Sequence, residues 1–337
     1  MKPGKLPLDL LADLLARLPG GDPRVLVGPR VGEDAAVIDL GDRLLVAKTD
    51  PVTFATDLIA WYTVNVNAND IATMGAEPRW FMATLLLPES VREREIEAIF
   101  DQLSQACRRL GVTPVGGHTE ITIGLPRPIM IGCMLGEVER DRLVTSAGAQ
   151  AGDAVILAGS IAIEGTALLA REVGEELLGR GLDEATVARA RDLLFDPGIS
   201  VVAPARVALQ AGGITALHDP TEGGLATGLR ELALASGVGL EIVGEAIPLL
   251  PLTGQVCAAL GLDPLGLIAS GSLVIGARPD AADRVLRALG AAGVEAAIIG
   301  RALPKESGLT LVARGRPGPL PAFARDELAR FFDQRQT

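Results

Sequence analysis

Apolar runs and amphipathic stretches follow one another closely over the first 140 residues. Residues 35–40 and 43–49 are apolar runs on either side of a Gly-Asp pair, which predicts a β-hairpin. Residues 57–74 and 91–110 fit helices, and each is followed by a glycine suited to a helix C-cap. Other apolar runs predict strands, at 80–87, 112–115 and 128–138. This order predicts an α+β domain built on one mostly antiparallel sheet.

A second pattern begins after residues 147–152, a stretch of small residues that predicts a domain boundary. Beyond it, strands and helices alternate, which predicts a mixed α/β domain. We therefore expect an N-terminal domain over residues 1–148 and a C-terminal domain over 149–337. The predicted strands are 154–160, 214–217, 239–243, 270–277 and 296–300, and the predicted helices are 163–173, 183–194, 199–210, 225–235 and 281–289, with a further helix at 6–18.

Composition narrows the class of protein. A length of 337 residues suits two domains, and 48% hydrophobic residues supply their cores. A net charge of −11 and only 3% aromatic residues argue against nucleic acid as a partner. The three cysteines form no metal-binding pattern and predict buried thiols in a reducing cytoplasm. The least charged stretch, 246–277, is interrupted by prolines, and the N-terminal stretch has no signal-peptide core, so we expect no membrane segment.

Three aspartates lie beside apolar runs near the start of the chain: Asp34, Asp50 and Asp70. A carboxylate at the edge of a core is costly unless a cation meets it. Mg²⁺ takes oxygen ligands and often shares them with the phosphates of a nucleotide, so the set predicts a magnesium site. Lys48 follows two apolar strand residues and lies two positions before Asp50. Asn69 lies beside Asp70 in a predicted helix that carries several amide side chains. Each aspartate taken alone is more often a helix cap or a turn residue.

Both histidines lie in glycine-bearing segments. One segment is GGHTE, which contains Gly116, Gly117, His118 and Thr119. The other is HDPTEGG, in which a strand leads through His218 and Asp219 to a helix that begins near Gly223 and Gly224. Bare backbone amides at a helix start predict an anion site. The alternative is a close-packed strand-to-helix connection with structural histidines. No Walker A or dinucleotide-binding glycine pattern is found.

Eight motifs in order resemble the ATP-dependent superfamily of aminoimidazole ribonucleotide synthetase, which includes thiamine-monophosphate kinase, selenophosphate synthetase and a hydrogenase-maturation factor. They are GEDAAVI, KTDPV, NANDIATMGAEP, GGHTE, AGDAVILAGS, HDPTEGGL, ASGSLVIG and IIGR. The similarity covers about residues 28 to 303, and DPTEGGL is most similar to the hydrogenase-maturation branch. It implies a two-domain fold in which the N-terminal sheet pairs with that of a second subunit into a barrel, with ATP bound in a cleft at the homodimer interface.

The resemblance also implies roles for the candidate residues. Asp34, Asp50 and Asp70 match the carboxylates that coordinate Mg²⁺, and Lys48 and Thr49 match the segment that borders the phosphates. The segment GGHTE matches the glycine loop on the nucleotide side, and HDPTEGG matches an anion site on the substrate side. In this scheme His218 or Asp219 orients the acceptor or moves its proton.

Two departures from the pattern affect the expected chemistry. Maturation factors carry their substrate on a terminal cysteine, whereas this sequence ends in FFDQRQT and its last cysteine is Cys257. Selenophosphate synthetases need a reactive residue before the first aspartate motif, whereas the first cysteine is Cys107. In addition, Glu222 stands where the maturation factors often have arginine. We therefore expect neither carrier chemistry at the terminus nor selenophosphate synthesis.

The sequence predicts an Mg²⁺- and ATP-dependent enzyme that transfers a phosphoryl group to a carbonyl or carboxamide oxygen of a small substrate. Two alternatives remain open. One is a small-molecule kinase that resembles thiamine-monophosphate kinase, and the other is a non-catalytic ATP-binding assembly factor.

Overall fold

The computed structural model describes residues 6, 8–30, 32–53, 55 and 57–335, which form two compact units. The N-terminal unit contains residues 21–28 and 34–143. The C-terminal unit contains residues 144–335 and also the described parts of 6–20 and 29–33. The domain bounds expected from the sequence, 1–148 and 149–337, stay a prediction, and the two units divide between residues 143 and 144. The assignment of two early segments to the C-terminal unit was not predicted.

Helices and strands have the following bounds in chain order. The helices are α1 (Leu8–Leu15), α2 (Ile59–Thr73), α3 (Glu93–Leu110), α4 (Ile163–Glu172), α5 (Gly174–Gly179), α6 (Glu184–Asp192), α7 (Val202–Ala211), α8 (Gly224–Ser236), α9 (Pro251–Leu260), α10 (Pro279–Ala291) and α11 (Glu327–Asp333). The strands are β1 (Val25–Val27), β2 (Ala36–Asp39), β3 (Leu44–Val52), β4 (Glu77–Leu87), β5 (Thr113–Ile121), β6 (Ile129–Val138), β7 (Ala154–Ala158), β8 (Ile214–His218), β9 (Gly239–Val243), β10 (Leu273–Ala277), β11 (Ala296–Leu303), β12 (Leu309–Ala313) and β13 (Arg316–Pro319).

The sheet of the N-terminal unit has the strand order β1-β2-β3-β6-β4-β5. Its pairs are antiparallel except for β4 and β5, which run parallel. The predicted hairpin is present, with Ala36 opposite Ala47. The two predicted helices are also present, as α2 and α3. The prediction of an α+β unit with a mostly antiparallel sheet is therefore confirmed.

Helix α2 is buried along its whole length against this sheet. The close approach depends on a glycine of β6, because a Cβ at Gly132 would lie 2.4 Å from the Asn67 Nδ2 and 2.8 Å from the Thr63 Cγ2. Asn67 uses the space to donate hydrogen bonds to the Thr63 carbonyl, at 2.8 Å, and to the Asp50 carbonyl, at 3.2 Å. The helix is thus fixed to strand β3 next to the aspartate that the sequence singled out.

The segment GGHTE differs from the predicted loop. It lies inside the continuous edge strand β5, with Gly117 opposite Ala83 and His118 opposite Thr84 of β4. The physical reason lies in Gly117, which has a φ of +152° and whose Cβ would lie only 2.2 Å from the Ala83 carbonyl oxygen. Gly117 therefore permits two strands to pair closely in a segment whose two glycines had favoured a turn.

The C-terminal unit is built on a second sheet with the order β13-β12-β9-β11-β7-β10-β8. Its pairs are antiparallel except for β9 and β12. Apolar residues of the central strands and of α8 form the core, among them Leu157, Leu229, Val274 and Ile299. The alternation of strands and helices was predicted correctly, but α5, α11, β12 and β13 were not predicted. Helix α9 was also missed, because the proline-rich stretch hides a helix that begins at Pro251, where proline is well tolerated.

Two of the three thiols are buried, as predicted. Burial raises the pKa of Cys107 to about 11 and that of Cys257 to about 12, so both stay protonated near neutral pH. Cys133 is partly exposed. Within the described part of the chain, none of the helices combines the length and the apolar character needed to cross a lipid bilayer.

Candidate functional site

One lysine and three aspartates form a charged cluster in the N-terminal unit. Lys48 and Asp50 are two residues apart on β3 and therefore project from the same face of the sheet. The Lys48 Nζ lies 3.7 Å from the Asp50 Oδ2 and 3.3 Å from the Oδ2 of Asp70, which is on α2. Asp34 lies two residues before β2 and, like Asp70, is buried, whereas Lys48 and Asp50 are partly exposed. The structure thus groups four residues that the sequence spreads over 37 positions.

This cluster contains more carboxylates than cationic groups. Burial raises the pKa of Asp70 to about 8; the charge of Lys48 opposes the rise, whereas the charges of Asp50 and Asp34 add to it. One ammonium group therefore faces three carboxylates, of which Asp34 and Asp70 are buried and Asp50 is partly exposed. Carboxylate oxygens are the ligands that Mg²⁺ prefers, so the donor set fits a hard divalent cation.

The amide and hydroxyl side chains near the cluster have mainly structural partners. Thr49 donates from Oγ1 to the Gly132 carbonyl at 2.7 Å, across the β3–β6 pair. Asn65 donates to the Trp61 carbonyl at 2.8 Å, one turn earlier in α2. Asn69 is fully buried beside Asp70. The predicted polar face of this helix therefore serves in part to hold α2 in place.

The residues of GGHTE form a separate group within the same unit. Strand β5 is three positions away from β3 in the sheet, a separation of about 14 Å at roughly 4.8 Å per strand. His118, whose Nε2 lies 3.1 Å from the Glu120 Oε2, is exposed, and so are Gly116, Gly117 and Thr119. Within one protomer, the sheet therefore does not bring this segment to the aspartates.

In the C-terminal unit, the segment HDPTEGG connects β8 to α8 as predicted. His218 ends the strand, Asp219 follows it, and both are buried. The His218 Nε2 lies 3.2 Å from the Oε2 of Glu231, which is on α8. Glu231 was not predicted as a site residue, because a single glutamate in a helix is usually a surface residue.

The turn before α8 holds a carboxylate from the same chain. The Gly223 N–H donates to the Asp326 Oδ2 at 2.6 Å, and the Gly224 N–H donates to the Thr221 carbonyl at 3.0 Å. A Cβ at Gly224 would lie 2.5 Å from the Leu265 carbonyl oxygen, so this glycine also serves close packing. The anion site expected at these amides stays a prediction, and an incoming anion would have to replace Asp326 at Gly223.

Several carboxylates surround this turn. Burial raises the pKa of Glu164 to about 7, and the neighbouring charges of Asp326 and Glu222 add to the effect. Burial likewise raises the pKa of Asp326 to about 7, with backbone hydrogen bonds from Gly223 and Leu328 opposing the rise. A second anion would be unfavourable here while these groups are ionised.

Known proteins resemble the chain over most of its length. The carbamoyl dehydratase HypE of Rhizobium leguminosarum bv. viciae is 32% identical over 82% of this chain and 79% of that protein. The crystal structure of HypE from E. coli matches with a TM-score of 0.75 and 26% identity, covering 96% of this chain and 98% of that one. A structure of the hydrogenase maturation protein HypE in complex with ATP matches with a TM-score of 0.72 and 23% identity, covering 95% and 91%.

Two family descriptions match consecutive parts of the sequence. Residues 32–138 match the N-terminal domain of AIR synthase related proteins, and residues 150–311 match their C-terminal domain. The matches fall on the two observed sheets, and they confirm the resemblance and the two-domain fold expected from the sequence motifs. The chain belongs to the AIR synthase related family, and the relatives it matches include hydrogenase-maturation proteins of the HypE type.

Proposed function

We propose that the protein is an ATP-dependent enzyme that phosphorylates a carbonyl or carboxamide oxygen of a small substrate. The observation that carries the proposal is the partly buried cluster of Lys48 with Asp34, Asp50 and Asp70. A relative named as a carbamoyl dehydratase and a structural neighbour that binds ATP support both the nucleotide and the acceptor class.

Asp34, Asp50 and Asp70 would hold Mg²⁺, because their oxygen donors and excess negative charge suit this ion. When bound, the ion would offset the negative charge of the phosphates. Lys48, held 3.3 Å from Asp70, would add a fixed positive charge for the γ-phosphate oxygens. Asn67 and Thr49 keep β3, and with it Lys48 and Asp50, in position through hydrogen bonds to backbone carbonyls.

The reaction has a simple atomic balance. The amide oxygen attacks the γ-phosphorus, the bond to the ADP oxygen breaks, and the amide oxygen becomes part of a phosphate leaving group. Loss of that phosphate and of the nitrogen-bound protons gives a nitrile, whereas attack by a second nucleophile gives a substituted product. His218 or Asp219 would orient the acceptor and take one of its protons.

We include a homodimer in the proposal. All nine residues of the edge strand β5 are exposed, including Val115 and Ile121 with more than half of their surface accessible. An exposed strand edge with apolar side chains favours pairing with another chain. A second copy would cover this edge and place its GGHTE segment at an interface. Sedimentation of the wild-type protein and of Val115→Asp tests the dimer, and a wild-type monomer at micromolar concentration would contradict it.

Oxygen tracing tests the reaction. The enzyme is incubated with Mg·ATP and small carboxamides labelled with ¹⁸O at the carbonyl, and the released phosphate is analysed by ³¹P NMR. We expect ¹⁸O in inorganic phosphate with the wild-type protein and none with Asp50→Asn. The surface variant Asp42→Asn, which removes an exposed carboxylate of the same unit, serves as the matched control.

Two other outcomes would each favour an alternative. A stable phosphorylated product without inorganic phosphate would identify a small-molecule kinase. Tight ATP binding without ADP release for any acceptor would identify a nucleotide-binding assembly factor. Inorganic phosphate whose one newly acquired oxygen comes from solvent water, with no ¹⁸O from the carboxamide, would contradict activation of the amide.

A further inference from the structure

Glu231 is a buried carboxylate without a role in the scheme above. It lies on α8, it is only 8% exposed, and its Oε2 is 3.2 Å from the Nε2 of His218, which is 4% exposed. Burying an ionisable pair costs free energy that a pair of apolar residues would not cost. The His218–Glu231 pair is not needed to hold β8 against α8, because apolar residues of both elements already pack in the same core.

A carboxylate next to one nitrogen of an imidazole determines which tautomer is favoured and therefore whether the other nitrogen can accept a proton. A negatively charged acceptor favours the tautomer with hydrogen on the nearer nitrogen, and it stabilises the imidazolium form. With hydrogen on Nε2, the nitrogen that takes up a proton is Nδ1.

We propose that Glu231 is a positioning residue that accepts a hydrogen bond from the Nε2–H of His218 and thereby makes Nδ1 the basic nitrogen. The pair then takes one proton from the acceptor at Nδ1, holds it as imidazolium against the Glu231 carboxylate, and returns it to solvent after the product forms. The catalytic part of this inference rests on the proposed function, whereas the pairing itself does not.

Among the described residues of the C-terminal unit, the chain neighbours of His218 and Glu231 do not take the place of Glu231. Asp219 follows it in the chain, is 2% exposed and has the same sign as Glu231. On the neighbouring strand β10, the residue opposite is the apolar Val274. Arg230, next to Glu231 on α8, donates instead to the backbone carbonyls of Pro321 and Leu320. Removing the charge of Glu231 therefore removes one identifiable contribution to the pKa of His218.

The small number of histidines allows the tautomer and the pKa of His218 to be measured directly. Only two histidines are present, so ¹⁵N-labelled histidine gives two imidazole spectra. His118 lies on the exposed strand β5 of the other unit and serves as an internal reference in every sample. In the wild-type protein we expect the Nε2–H tautomer for His218. In Glu231→Gln we expect the pKa of His218 to fall by about 1 to 3, with His118 unchanged.

Two outcomes would overturn the pairing: an Nδ1–H tautomer in the wild-type protein, or a His218 that titrates identically in Glu231→Gln. The tautomer is read in the unaltered protein, so the test does not depend on the variant folding. Glu231→Asp provides a second variant that keeps the charge and should restore part of the wild-type titration.

The pH dependence of ATP turnover separates this inference from the proposed function. If His218 acts as a base, the acidic limb of the kcat profile should move to lower pH in Glu231→Gln, by the same amount as the NMR titration. An NMR shift with an unmoved kcat profile would confirm the pairing and overturn the catalytic role of His218. An unmoved NMR titration would overturn the assignment of Glu231 even if turnover on carboxamides is observed.

Discussion

Asp326 accepts a hydrogen bond from the Gly223 N–H at 2.6 Å, and its other carboxylate oxygen accepts one from the Leu328 N–H at 2.7 Å. One side chain therefore caps two helices, because Gly223 precedes α8 and Asp326 precedes α11. Residues 103 positions apart in the chain are joined in this way. The contact attaches the last described helix to the segment that carries His218 and Asp219.

The first prediction concerns stability against pH. The pKa values of Glu164 and Asp326 are raised from 4.5 and 3.8 to about 7 in the folded protein. The folded state then binds more protons than the unfolded state between about pH 4 and 7, so stability falls as pH rises through this window. Each full proton of difference changes the free energy of unfolding by about 1.4 kcal/mol per pH unit.

Urea denaturation at pH 5, 6, 7 and 8 measures this effect. We expect Glu164→Gln to flatten the decline towards pH 8, whereas Glu295→Gln, at an exposed position, should follow the wild-type curve. A Glu164→Gln profile parallel to that of the wild type would show that this carboxyl titrates normally.

A second prediction concerns the attachment of α11. Asp326→Ala removes the acceptor for both helix starts, and loss of a cap costs about 0.5 to 2 kcal/mol. We expect faster amide hydrogen exchange in residues 327–333 and at the start of α8. Asp333→Asn, which removes the partly exposed ion pair with Arg325, should leave exchange at Gly223 and Gly224 unchanged. Equal exchange in both variants would argue against a special role of Asp326.

A third prediction separates two adjacent glycines. A Cβ at Gly117 would lie 2.2 Å from the Ala83 carbonyl oxygen, whereas none of the described atoms lies within 4 Å of a Cβ at Gly116. Gly117→Ala should therefore disrupt the parallel β4–β5 pair and lower the melting temperature, and Gly116→Ala should have little effect. If both variants melt alike, the close approach of the two strands is incorrect.

The charged cluster could be predicted from sequence because its members are marked locally. Asp34, Asp50 and Asp70 each interrupt or end an apolar run, and Lys48 lies two residues from Asp50 on a recognisable strand. Their approach follows from one hairpin and one helix that packs on it. The sequence immediately around each of these residues was therefore sufficient to single them out.

Other features of the fold and of the candidate site depend on contacts between residues far apart in the chain, which no local sequence pattern indicates. Asp326 lies in a region without predicted elements, and its partner Gly223 is distant in the chain. The glycine pair in GGHTE is typical of a loop, yet one of the two serves a close strand contact. Glu231 could be interpreted only once His218 was seen beside it.

A fourth prediction concerns the competition between protons and metal ions. The pKa of Asp70 is raised to about 8, so this carboxyl is largely protonated at pH 6 and must lose its proton to bind a cation. The affinity for Mg·ATP should rise with pH up to about 8, by as much as tenfold per pH unit. Calorimetric titrations at pH 6, 7 and 8 check this, and Asp70→Asn should remove the dependence. A wild-type affinity that is independent of pH would contradict the assignment of Asp70 as a ligand.

The final prediction tests the cluster as the site of the phosphates. Asp50 is the most exposed of its three carboxylates, so Asp50→Asn should disturb the fold least. We expect weaker Mg·ATP binding by at least about tenfold, equivalent to roughly 1.4 kcal/mol, with an unchanged melting temperature in the absence of nucleotide.

The most direct measurement is therefore a paired one on wild-type protein, Asp50→Asn and the surface control Asp42→Asn: calorimetric affinity for Mg·ATP, and melting temperature without nucleotide. The account predicts that Asp50→Asn loses affinity and keeps its melting temperature, and that Asp42→Asn matches the wild type in both. An Asp50→Asn protein that binds Mg·ATP as tightly as the wild type, or one that melts as early as a core variant, would contradict it.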